Sequence, residues 1–127
     1  MPVSLAGLTI LVVEDDFLAA LDLKRLIEER DGKVAGPVGR LDQAQQLAAS
    51  VELDGALLDV KLNGLDSLPL ADELIARNIP IILVTGYDVA MLPERFARTP
   101  RLPKPFNDAA FDQLAADLFV VRPARSS

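Results

Sequence analysis

A chain of 127 residues, half of them hydrophobic and a quarter charged, suffices for one packed core and is too short for a second domain of ordinary size, so any output domain is expected on another polypeptide. Lacking both cysteine and histidine, it has no disulfide, no thiolate or imidazole metal site, no Ser-His or Cys-His pair and no phosphohistidine, which leaves carboxylates, hydroxyls and lysine. A formal charge of -6 disfavours nucleic-acid phosphates and suits a cation or a basic partner, while the absence of a bilayer-length apolar run and of a secretory leader at Met1-Pro2-Val3-Ser4 makes the cytoplasm the expected location, with no membrane partner.

Leu8 to Val13 (LTILVV) is a short, nearly continuous apolar run rich in branched residues, the pattern of a strand buried on both faces. Phe17, Leu18, Leu21, Leu23, Leu26 and Ile27 then recur at helical steps, with Lys24, Arg25, Glu28, Glu29 and Arg30 on the other face, up to a stop at Asp31-Gly32. Lys33 to Gly36 is a weak second strand, Leu41 to Ser50 a second helix, and Ala56-Leu57-Leu58 with their neighbours a third strand. Asp66 to Arg77 predicts a third helix, with Asp66 or Ser67 available as a cap and Pro69 in the first turn. Ile79 to Val84 is the fourth strand and Arg101-Leu102 a very short fifth. Between them, Tyr87 to Arg98 contains Pro93, so the fourth helix is expected to be short or irregular and the segment mobile. Asn107 to Val120 makes the last helix, with Phe111, Leu114, Leu118 and Phe119 on one stripe. Phe106, Phe111 and Phe119 are expected in the core, and Arg95, Arg98 and Arg101 on a solvated face.

Strands alternating with helices imply a doubly wound α/β fold with a parallel sheet covered on both faces. One domain is expected over residues 1–127, its core at about 8–120 and its tail, 121–127, loose. In such sheets the ligand site lies beyond the carboxyl ends of the strands. Read off in order, those ends carry Glu14-Asp15-Asp16, Asp59, Thr85-Gly86 and Lys104-Pro105. Converging carboxylates raise one another's pKa unless a cation sits among them, and an oxygen-only ligand set favours Mg²⁺. A hydroxyl and an ammonium nearby supply what a phosphoryl group needs. Alone, each of these motifs reads as a cap, a turn or a solvated loop; together and in order they do not.

The set ILVVEDD (10–16), LLDVKLNG (57–64), IILVTG (81–86) and LPKPF (102–106) resembles the receiver domain of two-component response regulators over nearly the whole chain. The resemblance implies a flavodoxin-like, five-stranded parallel sheet in the order 2-1-3-4-5. It further implies that Asp59 is the phosphoacceptor, that Glu14, Asp15, Asp59 and the backbone carbonyl of Lys61 bind Mg²⁺, and that Thr85 and Lys104 contact the phosphoryl group. The Lys104–Pro105 bond is then expected to be cis. Glu14 stands where aspartate is frequent, Asn63 where proline often is, and Arg101 where an aromatic residue often precedes the lysine by three. Lys61 and Tyr87 occupy positions that in the family tune acyl-phosphate lifetime. Val84-Thr85-Gly86-Tyr87 and Leu92-Pro93-Glu94-Arg95-Phe96 resemble in part the stand-alone receivers of the Phe-Ala-Thr-Gly-Tyr type.

A single-domain response regulator or phosphate sink is thus expected, monomeric or weakly dimeric, charged by a histidine kinase or histidine phosphotransfer protein. The competing reading is a receiver-like adaptor that regulates a partner without being phosphorylated. An aspartyl-phosphate phosphatase is disfavoured because Glu14-Asp15-Asp16 lacks the Asp-x-Asp arrangement after the first strand, and a dinucleotide-binding domain because no Gly-x-Gly-x-x-Gly follows it.

Overall fold

Alternation along each apolar run decides the architecture, because side chains at successive positions of a strand point to opposite faces. The computed structural model describes residues 2–62, 65–86 and 92–120. Five runs form the strands of the main sheet, β1 (Thr9–Val13), β2 (Lys33–Val38), β3 (Gly55–Asp59), β4 (Ile81–Thr85) and β5 (Arg101–Pro103), and Lys61–Leu62 and Leu65–Asp66 pair as a short antiparallel ribbon after β3. The main sheet is parallel throughout, in the order β2-β1-β3-β4-β5, as expected of a doubly wound fold. Leu11, Val13, Ala56, Leu58, Ile81 and Leu83 enter one core, with Ala44 and Ala48 of α2 (Leu41–Ser50) and Leu70, Ala71 and Leu74 of α3 (Leu68–Ala76). Ile10, Val12, Leu57, Ile82, Val84 and Leu102 enter the other, with Leu23, Leu26 and Ile27 of α1 (Phe17–Glu28) and Phe111 of α4 (Asp108–Ala115).

The register is tight where β3 crosses the last helix. Beyond α4 the chain continues as one π-type turn, Ala116–Val120, which carries the buried Phe119. A Cβ at Gly55 would run into the Phe119 ring. Gly55→Ala is therefore expected to lower stability by about 1–3 kcal/mol through overpacking, read as a lower urea midpoint at unchanged slope.

Several sequence expectations need correction. Phe17, Leu18 and Leu21 do not join the core; they are 72%, 74% and 46% exposed, so α1 carries a second apolar face beside its buried one. Arg30, expected among the solvated charges, is buried. Its Nε donates to Asp112 Oδ1 (2.6 Å) and its Nη1 to the Leu26 carbonyl (2.9 Å), and Phe111 lies beneath the guanidinium. The hydrogen bond from Arg30 holds the Asp112 carboxyl below its ordinary value. Arg101 is half-buried, its Nη2 reaching the Phe96 carbonyl at 3.4 Å, while Arg95 and Arg98 are exposed. The third helix starts at Leu68 rather than Asp66: Ser67 is its N-cap residue, without a side-chain cap bond, and the Oδ1 of the preceding Asp66 accepts from the Leu68 N–H at 2.8 Å.

After Pro93 the expected short fourth helix is, among the described residues, one 3-10 turn at Glu94–Phe96. Asn63, Gly64, Tyr87, the mobility expected at its segment's start and the expected loose tail lie outside the described residues.

Candidate functional site

Parallel pairing brings the carboxyl ends of the central strands to one edge. Val13 pairs with Leu58, Asp59 with Val84, and Thr85 with Pro103. The residues that leave β1, end β3, end β4 and follow β5 therefore share that edge: Glu14, Asp59, Thr85 and Lys104. The Lys104 N–H donates to the Thr85 carbonyl at 3.0 Å, and the Lys104–Pro105 bond is cis.

Lys104 lies between two carboxylates. Its Nζ is 3.0 Å from Glu14 Oε1 and 3.1 Å from Oε2, and it donates to Asp59 Oδ2 at 3.3 Å. Glu14 is buried and Asp59 half-buried, whereas Asp15 is exposed. Glu14 Oε2 also accepts from the Asp16 N–H at 3.0 Å, and Asp59 Oδ1 from the Lys61 N–H at 3.3 Å. Asp16 faces the other way and caps α1, accepting from the Leu18 and Ala19 N–H groups at 3.0 and 3.3 Å.

Burial, and then the hydrogen-bonding proximity of Asp59, push the Glu14 carboxyl from its ordinary 4.5 up to about 7, because a charge out of water beside another carboxyl is disfavoured. For Lys104, burial alone would lower the pKa; the hydrogen bond to Glu14 and the negative charges of Asp59 and Glu14 outweigh it and raise the ammonium above its ordinary value.

One carboxylate oxygen each from Glu14, Asp15 and Asp59 lies within 4.8 Å of the others. Glu14 Oε1 is buried and has no hydrogen-bond partner, its 3.0 Å contact with Lys104 being an ion pair without hydrogen-bond geometry. Three carboxylates against one ammonium leave two negative charges when all are ionised, which a divalent cation balances. The oxygen-only donor set and an orphaned buried oxygen both fit Mg²⁺, whose ligands across the ion stand about 4 Å apart. The Thr85 Oγ1 is likewise buried without a hydrogen-bond partner among the described residues, a donor at the same edge.

The sequence-predicted residues thus meet. Ser67, read from sequence only as a cap, proves to be a further member: it is fully buried, and its hydroxyl donates to the Asp59 carbonyl and lies 3.0 Å from that of Val60.

No protein-family model matches the chain. SdrG from Sphingomonas melonis Fr1 superposes with a TM-score of 0.81 at 35% identity, over 87% of this chain and 95% of that one. The signal receiver domain of a modulated diguanylate cyclase from Desulfovibrio desulfuricans G20 does so with a TM-score of 0.77 at 30% identity, over 89% and 94%. The chain belongs to the receiver domains of response regulators. Receivers are signalling modules rather than turnover enzymes.

The receiver of the sensor histidine kinase PA1611 from Pseudomonas aeruginosa PAO1 (TM-score 0.75, 26% identity, 91% of this chain and 99% of that one) has a magnesium ion coordinated in its active-site cleft. SdrG has also been solved in a BeF3-activated conformation, with a TM-score of 0.74 at 36% identity over 89% and 98%. The receiver described here spans about two fifths of the curated relatives it matches; PhyR of Methylorubrum extorquens is 31% identical over 109 residues, 79% of this chain and 39% of that protein. No described helix is long and apolar enough to cross a membrane.

Proposed function

We propose that this receiver, taken as one unit over residues 1–127, accepts a phosphoryl group on Asp59 from a histidine kinase or histidine phosphotransfer protein in the cytoplasm. It then signals by phosphorylation-dependent protein binding or drains a shared kinase. The observation that carries the reading is the convergence on one edge of Asp59, the acidic pair Glu14 and Asp15, the unpartnered Thr85 hydroxyl and the Lys104 ammonium.

In this scheme an oxygen of Asp59 attacks phosphorus in line. The bond to the donor's imidazole nitrogen, or to acetate in a small phosphodonor, breaks as the acyl phosphate forms, and the leaving group keeps the electron pair. Glu14, Asp15, Asp59 and the Lys61 carbonyl would hold Mg²⁺, which neutralises the charge of the transferring group. Lys104, already 3.3 Å from Asp59 Oδ2, needs only a small displacement to pair with a phosphoryl oxygen. Thr85 donates its hydroxyl to another. The BeF3-activated conformation of SdrG supports a site able to hold a phosphoryl-like group in a relative of this identity.

The donor is a protein with an apolar docking face, because Phe17, Leu18 and Leu21 stand exposed on α1, directly after Glu14-Asp15-Asp16. Such a patch at the rim of a polar site marks a protein contact rather than a small-molecule pocket. The net charge of -6 speaks against nucleic acid as a partner. Self-association is at most a weak homodimer.

The test is intact-protein mass after incubation with acetyl phosphate and Mg²⁺. The expected result is a gain of one phosphoryl group that a chelator prevents. Mg²⁺ binding without any gain, from acetyl phosphate and from a panel of phosphorylated histidine phosphotransfer proteins alike, would move the assignment to an adaptor that acts unphosphorylated.

A further inference from the structure

Ser67 sits at the amino end of α3, where a serine ordinarily caps the helix, yet it makes no side-chain cap bond. The N–H of Leu68 is taken by the side chain of the preceding residue, Asp66. The Ser67 hydroxyl is turned back onto the end of β3. It donates to the Asp59 carbonyl and lies 3.0 Å from the Val60 carbonyl, which also accepts from the Ser67 N–H at 3.0 Å. The side chain is fully buried, so no water replaces these bonds if the hydroxyl is removed.

The peptide plane between Asp59 and Val60 is consequently held from both sides, but unequally. Its N–H reaches the Val84 carbonyl only at 3.4 Å, at the long limit of a useful bond, whereas its carbonyl receives the short bond from Ser67. Rotation of that plane would move the Asp59 carboxylate on one side. On the other it would move the backbone of Lys61, whose N–H donates to Asp59 Oδ1. The Ser67 hydroxyl thus holds the Asp59 end of this stretch directly, and Lys61 follows through its N–H bond to Asp59 Oδ1 beside its antiparallel pairing with Asp66.

We propose that Ser67 is a positioning residue for this site: its hydroxyl, bonded to the Asp59 carbonyl, sets the orientation in which Asp59 and the Lys61 backbone meet Mg²⁺. The inference rests on reading the acidic cluster as the Mg²⁺ site of a phosphoacceptor. The physical ground is general: groups that orient a metal's ligands, without touching the metal, change its affinity by about 10- to 100-fold when removed, and small misplacements of a reacting group are comparably damaging. A buried carbonyl deprived of its donor also seeks another one, and rotation of the plane is the available response.

The experiment compares full-length wild type, Ser67→Ala and Ser67→Thr by Mg²⁺ titration followed at the Lys61 backbone amide, and by intact mass after acetyl phosphate treatment. Ser67→Ala is expected to keep the fold, to weaken Mg²⁺ binding about 10-fold and to slow labelling at saturating Mg²⁺. Ser67→Thr, which keeps the hydroxyl, is expected to recover most of both. Wild-type Mg²⁺ affinity in Ser67→Ala overturns the proposal, and so does a loss that Ser67→Thr fails to recover, since packing would then be its cause. A wild type that binds Mg²⁺ but takes no phosphoryl group refutes phosphoacceptance alone, because the Mg²⁺ titration still decides the role of Ser67. A wild type with no Mg²⁺ affinity overturns both.

Discussion

Asp59→Asn is expected to take up no phosphoryl group under conditions in which the wild type gains one. Asparagine keeps the size and shape of the side chain but removes the nucleophilic oxygen, so the loss is chemical rather than structural. Of the carboxylates gathered there, Glu14 is the one that also pairs with Lys104, and it is a poor substitute. It is buried, and at 3.0 Å from the Lys104 ammonium against 3.3 Å for Asp59 it is held back from the solvent edge where a phosphoryl donor arrives. Both Asp59 influences that raise Glu14, its hydrogen-bonding proximity and its charge, disappear in the variant, so Glu14 becomes more acidic and Lys104 pairs with it alone. The variant should therefore fold normally while remaining unlabelled, as read by intact mass beside a circular-dichroism melt. Equal labelling of the two proteins would show that another residue accepts the group.

The strand ends were legible because a parallel strand buried on both faces is an unbroken apolar run, and its first polar residue marks where the sheet edge begins. Glu14, Asp59, Thr85 and Lys104 were found that way, and the register then brought them together. Three features were not legible, for different physical reasons. Helical periodicity reports apolar residues without saying what covers them, so Phe17, Leu18 and Leu21 read like the core residues Leu23, Leu26 and Ile27 of the same helix. The burial of Arg30 depends on Asp112, its partner across 82 positions, and no local pattern contains that pairing. Asp66 and Ser67 both read as caps, and only the chain path shows that Ser67, at the N-cap position, turns its hydroxyl to the Asp59 carbonyl while Asp66 accepts from the Leu68 N–H.

The cluster that would bind Mg²⁺ should also make the metal-free protein lose stability as the pH rises toward neutrality. A carboxyl with a folded value of about 7 against an ordinary 4.5 keeps its proton in the folded chain at pH values where the unfolded chain has released it. Folding therefore becomes less favourable as the pH climbs from about 4.5 to about 7, and the loss is complete above that range. At 1.36 kcal/mol per pKa unit, the full loss is about 3 kcal/mol. Lys104 does not oppose this trend: its raised value gives stability that persists through the window and is lost only in the alkaline range. The lowered Asp112 acts on the acid side, its contribution vanishing as the pH falls through its folded value. With no histidine in the chain, the upper half of the window is left largely to Glu14. Saturating Mg²⁺ should oppose the loss near pH 7.5, since a ligand at about 100 times its dissociation constant stabilises by about 2.7 kcal/mol, and should do little near pH 4.5, where protonated carboxyls bind it poorly. Urea midpoints across this range, with and without Mg²⁺, for wild type and Glu14→Gln, measure each part. The wild type should slope downward without Mg²⁺ and the variant should be nearly flat; equal slopes would mean that the buried Glu14 is ionised throughout and that Lys104 alone neutralises it.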